Sequence, residues 1–335
     1  MTNNVTDQLN RPIKDLRVSL TDRCQFRCTY CLPAEHVDVM RQQSQPESHL
    51  SFDEIIAAIK AFAICGVTKI RLTGGEPLLR KNVATLVQEI KNIPGISEVA
   101  LTTNGALLPA VLQDLVAAGL DRITVSMDAI EQQLFESITG TEYQVSKIID
   151  TIKQCSQSGL KQTKVNCVIQ KGINENQIIP MLDLFRGTDV EVRFIEFMDV
   201  GNINGWQADQ VVESKIAKDL IRKKWPFTPL PTKITGEVAN RFGFDDGQGN
   251  FGMISSISQP FCMDCNRARL SSKGELFTCL FSDHGHNLKP LINQADLLLA
   301  QVSKIWQQRT DQYSMQRKQN KTKLKNKIEM FVIGG

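Results

Sequence analysis

The sequence predicts an α/β fold: a partial (β/α)6 barrel of the TIM type with a smaller C-terminal domain. Three features predict it. Between about residues 15 and 200, short β-branched runs alternate with amphipathic helical stretches, the rhythm of parallel strands joined by right-handed crossovers. Glycines stop the helices. Polar clusters follow the strands, where α/β folds place their active sites.

The strand runs are Leu16–Leu20, Lys69–Leu72, Val99–Thr102, Arg122–Ser126, Lys164–Ile169 and Glu191–Phe197. The clearest helix begins at Ser51. Ser51 and Glu54 have the spacing of a capping box, and Ile55, Ile56, Ile59 and Phe62 then share one face. Gly66 ends this helix, with Gly119, Gly159 and Gly187 at equivalent stops, because glycine enters the left-handed region most easily. After the strands come Cys24, Cys28 and Cys31, then Gly74-Gly75-Glu76, then Thr103-Asn104-Gly105, with Ser126 and Asp128 closing the fourth.

Six such units fit either an open doubly wound sheet or a partial barrel, and the strand faces favour the barrel. Side chains alternate with period two. Arg17 shares a face with Ser19, Lys69 with Arg71 and Thr73, Thr124 with Ser126 and Asp128, Lys164 with Asn166, and Arg193 with Ile195 and Phe197. The opposite faces are apolar, among them Leu16, Val18, Ile70, Leu72, Ile123 and Val125. Buried parallel strands normally read apolar on both faces. One polar, cationic face repeated over five strands predicts a wet, positive cavity inside a barrel and fits edge strands poorly.

After about residue 205 the rhythm breaks, at Pro226, Pro229, Pro231 and the glycine-rich stretch 243–252. This places a barrel domain at 1–225 and a loop-rich domain at 226–335. Arg317, Lys318, Lys321, Lys323, Lys325 and Lys327 form a basic run, read as a solvated face or tail in preference to a nucleic-acid patch. The 335 residues suit two domains at roughly 150 residues each. A hydrophobic share of 41%, a charged share of 22% and a net charge of +3 describe an ordinary globular chain and give no case for nucleic acid. No apolar run reaches the roughly 18 to 20 residues of a membrane span, and the polar start lacks a signal core, so a cytoplasmic location is expected.

In that compartment nine cysteines point to metal or catalysis before disulfides. Six form two triplets, Cys24-x3-Cys28-x2-Cys31 and Cys262-x2-Cys265-x13-Cys279. Three thiolates cannot fill a four-thiolate shell, so an iron–sulfur cluster held by the first triplet keeps one open iron, with structural zinc completed by a ligand such as His36 as the alternative. The second triplet taken alone favours zinc, with His284 or His286 completing a Cys3His site. Cys65, Cys155 and Cys167 belong to neither triplet and read as core or surface residues.

The first triplet, with Tyr30 before its last cysteine, resembles the signature of radical S-adenosylmethionine enzymes, and Gly74-Gly75-Glu76-Pro77 resembles that family's GGEP. The family's fold is also a partial barrel. FCMDCNRARL at 261–270, DLRVSLTDRC at 15–24, MDVGNINGW at 198–206 and the terminal Gly334-Gly335 are similar to one subfamily, the GTP 3',8-cyclases of molybdenum cofactor biosynthesis. The tail departs from it, carrying lysines and Glu329 where the subfamily often has arginine, proline and histidine.

The resemblance implies two 4Fe-4S clusters, one on each triplet. The first would chelate S-adenosylmethionine, and the second would contact guanine. It implies that Tyr30, Gly75, Glu76, Ser126 and Met198 bind S-adenosylmethionine. Arg17, Arg71, Thr102, Lys164 and the segment Arg267, Ala268, Arg269 would bind GTP, and strand phasing adds Lys69 and Arg193. Catalytic roles fall to Arg267, Arg269, Gly334 and Gly335. The product would be a 3',8-cyclo-7,8-dihydroguanosine triphosphate, passed to a cyclic pyranopterin monophosphate synthase. An electron donor of flavodoxin or ferredoxin type and a homodimer complete the implied picture. No Walker A pattern is present, so the triphosphate must rest on side-chain cations.

Overall fold

The computed structural model describes residues 4–36, 48–231, 236–316 and 327–334. Gly335 and the basic residues Arg317, Lys318, Lys321, Lys323 and Lys325 lie outside them.

Six parallel strands form the centre of one sheet: β1 (Asp15–Ser19), β2 (Lys69–Thr73), β3 (Glu98–Thr103), β4 (Arg122–Ser126), β5 (Gln162–Ile169) and β6 (Val190–Glu196). Between them run α1 (Phe52–Cys65), α2 (Val83–Lys91), α3 (Leu112–Ala117), α4 (Gln132–Thr139), α5 (Val145–Gln157) and α6 (Ile178–Phe185). The capping box forms as expected: the Glu54 amide donates to Ser51 Oγ at 3.1 Å, and the Ser51 amide donates to Glu54 Oε2 at 2.7 Å. Gly66 closes α1 at φ 111°.

The apolar strand face packs against these helices. Leu16, Ile70, Leu72, Leu101, Ile123 and Val165 are fully buried against side chains such as Phe62, Leu86, Leu115, Ile148 and Met181. Cys65, Cys155 and Cys167 are all buried in this layer.

Residues beyond 226 extend the same sheet at both edges. At one, β7 (Phe227–Pro229), β8 (Asn240–Phe244) and β9 (Asn250–Ile254) form a meander whose last strand runs parallel to β6. At the other, β10 (Arg267–Leu270) runs parallel to β1 and carries β11 (Glu275–Phe277) and β12 (His286–Asn287). The helix Ala295–Gln307, α8 in chain order after α7 (Ser214–Lys224), packs on α1.

The polar strand faces turn inward and line one chamber from β10 round to β6. Across its floor runs a belt of ion pairs and hydrogen bonds. Lys69 Nζ lies 3.3 Å from Asp15 and 3.4 Å from Glu98. Glu98 pairs with Arg122, which donates to Gln162 Oε1. Gln162 donates to Glu191 at 3.2 Å, and Glu191 pairs with Arg193 and Arg241 at 2.5 and 2.9 Å. Burial alone would raise the Glu191 carboxyl, but Arg193 and the hydrogen bonds from Arg193 and Arg241 outweigh it and bring the group to about 2. A depressed folded-state pKa stabilises above the unfolded value and is lost as pH falls through the folded value. The stability difference between wild type and Glu191→Gln should therefore be full at neutral pH and shrink as pH falls from about 4.5 towards 2. Urea unfolding across that range measures it, and a difference independent of pH would contradict the belt.

Candidate functional site

The chamber has a volume of about 480 Å³, and both cysteine triplets line it. Strand direction places them at opposite ends. Cys24, Cys28 and Cys31 follow the C-terminal end of β1, whereas Cys262 and Cys265 precede the N-terminal end of the parallel β10. Cys279 follows β11, which runs antiparallel to β10, and so returns to that same lower end.

The upper end is built by close backbone approach. A side chain on Gly75 would meet the Arg23 carbonyl at 2.2 Å, and one on Gly74 would meet that of Thr21 at 2.4 Å. The Gly75 and Glu76 amides donate to those same carbonyls at 2.7 Å. The loop leading to Cys24 is thereby laid on the GGEP turn. Glu76 is buried and engaged by its own chain: Leu78 N and Thr103 Oγ1 donate to Oε1, and Asn104 N to Oε2. Burial still lifts its carboxyl to about 7. Tyr30 donates to Asp128 Oδ2 at 2.7 Å, and the Val168 amide donates to Oδ1. Asp128, whose carboxyl burial raises to about 6, is a support outside the expected site residues; its alternation with Ser126 along β4 was the signal available. Gly75, Ser126 and Met198 line the chamber beside Tyr30.

The middle is cationic. Register sets Arg269, Arg17 and Arg71 side by side on β10, β1 and β2. Burial and the flanking Arg269, Arg267 and Arg71 push the Arg17 guanidinium well below its usual range. Arg17 Nε and Arg267 Nε are buried without a hydrogen-bond partner among the described residues. Arg71 donates to Thr102 and Thr124, so Thr102 holds an arginine in place. Burial, with Arg193 and Arg122 nearby, holds the Lys164 amine down at about 5. Arg17, Arg71 and Lys164 make no ion pair among the described residues, although Asp15 attracts both arginines and Glu191 attracts Lys164 at longer range. Lys69 and Arg193 differ, because carboxylates of the floor already pair with them. Ala268 is buried between Arg267 and Arg269, which both face the chamber.

The lower end gathers Cys262, Cys265, Cys279, Arg267 and Arg269. Burial disfavours the Cys265 thiolate, but Arg267 and Arg309 outweigh it and lower the thiol to about 6. The tail reaches the same chamber: Arg269 donates to the carbonyls of Ile333 and Gly334, and Gly334 lies against Thr73. The 198–206 loop clasps that tail, with Asn202 donating to Glu329 Oε1 at 2.9 Å and to the Lys327 carbonyl at 2.6 Å. Arg11 and Arg309, far apart in sequence and without any motif, also meet at this end.

All six thiols are free, and among the described residues no three His, Cys, Asp or Glu side chains come together tightly enough for a single metal ion. Both thiol triplets line the cavity wall, where cysteines could hold an iron–sulfur cluster. No helix is long and apolar enough to cross a membrane among the described residues.

Residues 18–185 match the model of the Radical SAM superfamily, and residues 190–315 match that of Molybdenum Cofactor Synthesis C. A protein of Xanthomonas campestris pv. campestris named GTP 3',8-cyclase is 47% identical over 330 residues, covering 98% of this chain and 97% of its own. One of Staphylococcus epidermidis with the same name is 45% identical over 337 residues, covering 99% of each. The crystal structure of Streptococcus suis SuiB superposes with a TM-score of 0.61 over 94% of this chain and 70% of that one, at 14% identity, which supports the fold alone.

Removing the Asp128 carboxylate leaves the Tyr30 hydroxyl and the Val168 amide without their partner. Asp128→Ala should cost about 1–3 kcal/mol, the usual penalty for stranding buried polar groups. Asp128→Asn should cost less because Oδ1 remains. Urea unfolding of the iron-free protein decides, and equal stability of all three forms would remove Asp128 from the support of Tyr30.

Proposed function

Because the chain belongs to the GTP 3',8-cyclase family of radical S-adenosylmethionine enzymes in molybdenum cofactor synthesis, we propose that this chamber binds S-adenosylmethionine at its upper end and GTP between the two cysteine triplets. The observation that carries the reading is that two thiol triplets line opposite ends of one cavity whose middle is lined by basic side chains without an ion-pair partner among the described residues.

Cys24, Cys28 and Cys31 would hold a 4Fe-4S cluster that, with S-adenosylmethionine bound, would supply the one-electron reductive cleavage from which the hydrogen-abstracting radical for C3' of the ribose arises. The chain's own residues do the rest. Tyr30, Gly75, Ser126 and Met198 bound the S-adenosylmethionine space, and Glu76 stiffens the loop beneath it. Arg17, Arg71 and Lys164 take the phosphates, with Thr102 orienting Arg71. Lys69 and Arg193 anchor the floor on which the triphosphate rests. Cys262, Cys265 and Cys279 would hold a second 4Fe-4S cluster, which would supply a contact to guanine. Arg267 and Arg269 would lie beside that cluster, and Arg269 keeps Gly334 at the chamber wall through the Ile333 and Gly334 carbonyls. Enclosure excludes water and fixes the sugar near the reacting carbon. An electron donor of flavodoxin or ferredoxin type, a downstream cyclic pyranopterin monophosphate synthase, a homodimer and a cytoplasmic setting complete the proposal.

Anaerobic incubation with GTP, S-adenosylmethionine and a strong reductant should yield the cyclised nucleotide from protein carrying about eight irons per chain, four for each cluster. Cys28→Ala should abolish 5'-deoxyadenosine release. Cys262→Ala should stop cyclisation while S-adenosylmethionine still binds. Normal cyclisation by either variant would overturn the assignment of its triplet.

Lys164 adds a titration. Its amine, held at about 5 in the empty chamber, is neutral near pH 7, and a triphosphate beside it raises that value. GTP binding should therefore take up about one proton near pH 7 and weaken as pH rises from about 5 towards the raised value. Calorimetry in buffers of differing protonation enthalpy measures the uptake. Lys164→Met should lose both the uptake and about one to two orders of magnitude in affinity, and unchanged proton uptake would exclude Lys164 as the phosphate cation.

A further inference from the structure

Two buried arginines lie behind the second triplet, outside every motif that marks the site. Arg309 follows α8, and Arg11 sits in the short hairpin before β1, where Thr6 bridges Pro12. Their exposures are 4% and 2%. Each grips the main chain of one cysteine: Arg11 Nη1 donates to the Cys262 carbonyl at 2.8 Å, and Arg309 Nη1 donates to the Cys265 carbonyl at 2.7 Å.

Both arginines are themselves fixed. Asp7, 5% exposed, accepts from the Leu9 and Arg11 amides with Oδ1 and from Arg11 Nε with Oδ2. Arg309 Nη1 lies 3.7 Å from the same Oδ2. Asp311 accepts from Arg309 Nε and Nη2, and its carbonyl accepts from Arg11 Nη1 at 2.9 Å. The Arg309 guanidinium lies 4.6 Å over the Trp306 ring, whose Nε1 donates to the Arg11 carbonyl. Arginine suits such a position because its planar fork serves several acceptors at once. A buried, hydrogen-bonded charge network adds little net stability over apolar packing but can specify one geometry.

We infer that Arg11 and Arg309, held by Asp7 and Asp311, are positioning residues for Cys262 and Cys265. They fix the two carbonyls so that both thiols point into the chamber, and the N-terminal hairpin is thereby a structural part of the nucleotide-facing cluster site. The inference rests on the second cluster proposed above. Outer-shell hydrogen bonds orient the ligands of metal sites and tune the metal, so the effect belongs to the second cluster and leaves the first untouched.

The test uses the full chain with Cys24→Ala, Cys28→Ala and Cys31→Ala, so that only the second triplet takes iron on anaerobic reconstitution with iron and sulfide. This parent should bind about four irons. Adding Arg309→Met or Arg11→Met should reduce the iron at least several-fold, and any cluster that assembles should show an altered electron paramagnetic resonance spectrum and a lowered reduction potential. Arg309→Lys, which keeps the charge and one donor, should recover part of the iron. Should a methionine variant fail to fold, as judged by melting of the iron-free chain, Asp311→Asn carries the same expectation with the arginines intact. Full iron with an unchanged spectrum and potential in the arginine and Asp311 variants would overturn the positioning role alone. A parent that takes up no iron would overturn the second-cluster reading, and this inference with it.

Discussion

A polar interior inside a barrel of parallel strands must balance its own charge, and the belt across the floor achieves this. Asp15, Lys69, Glu98, Arg122, Gln162, Glu191 and Arg241 join β1 through β6 and β8 by alternating sign and amide bridges. Unpaired charges at these positions would carry the full cost of desolvation. With the floor groups paired, the basic side chains one step higher on the same strands, Arg17, Arg71 and Lys164, make no ion pair among the described residues, and the phosphate site proposed for them needs no P-loop.

Separation of the two triplets follows from strand direction. β10 adds to β1 in parallel, so residues before β10 and residues after β1 lie at opposite ends of the chamber. An antiparallel addition would have brought both triplets to the same end. The single reversal between β10 and β11 then returns Cys279 to Cys262 and Cys265. Strands from residues beyond 226, expected as a loop-rich domain, thus extend the sheet and add to the chamber wall.

Rigidity at the two ends has different sources. The upper end depends on glycine, since any side chain at Gly74 or Gly75 would strike backbone of the loop that leads to Cys24. At the lower end, buried arginines hold backbone carbonyls. The tail is anchored by the 198–206 loop, where Gly201 leaves room for Glu329. This accounts for the lysine and Glu329 that set the tail apart in sequence, because Lys327 Nζ also donates to Asp199 at 3.0 Å.

The sequence by itself determined the strand–helix order, the capping box at Ser51, the polar inward face of five barrel strands, with Phe197 the exception that joins the core, and the grouping of both triplets. These are local properties: period-two alternation, first-turn capping and short ligand spacings involve neighbours in the chain. Tertiary structure alone decided which cations stay unpaired. Lys69 and Arg193 looked like Arg17 and Lys164 in the strand pattern, but their carboxylate partners include Asp15, Glu98 and Glu237 on other segments. It also decided that residues beyond 226 complete the barrel's edges, that Asp128 supports Tyr30, and that Arg11 meets Arg309 behind Cys262 and Cys265. Each of these depends on contacts between segments distant in sequence, which register and crossover direction bring together and which no local pattern encodes.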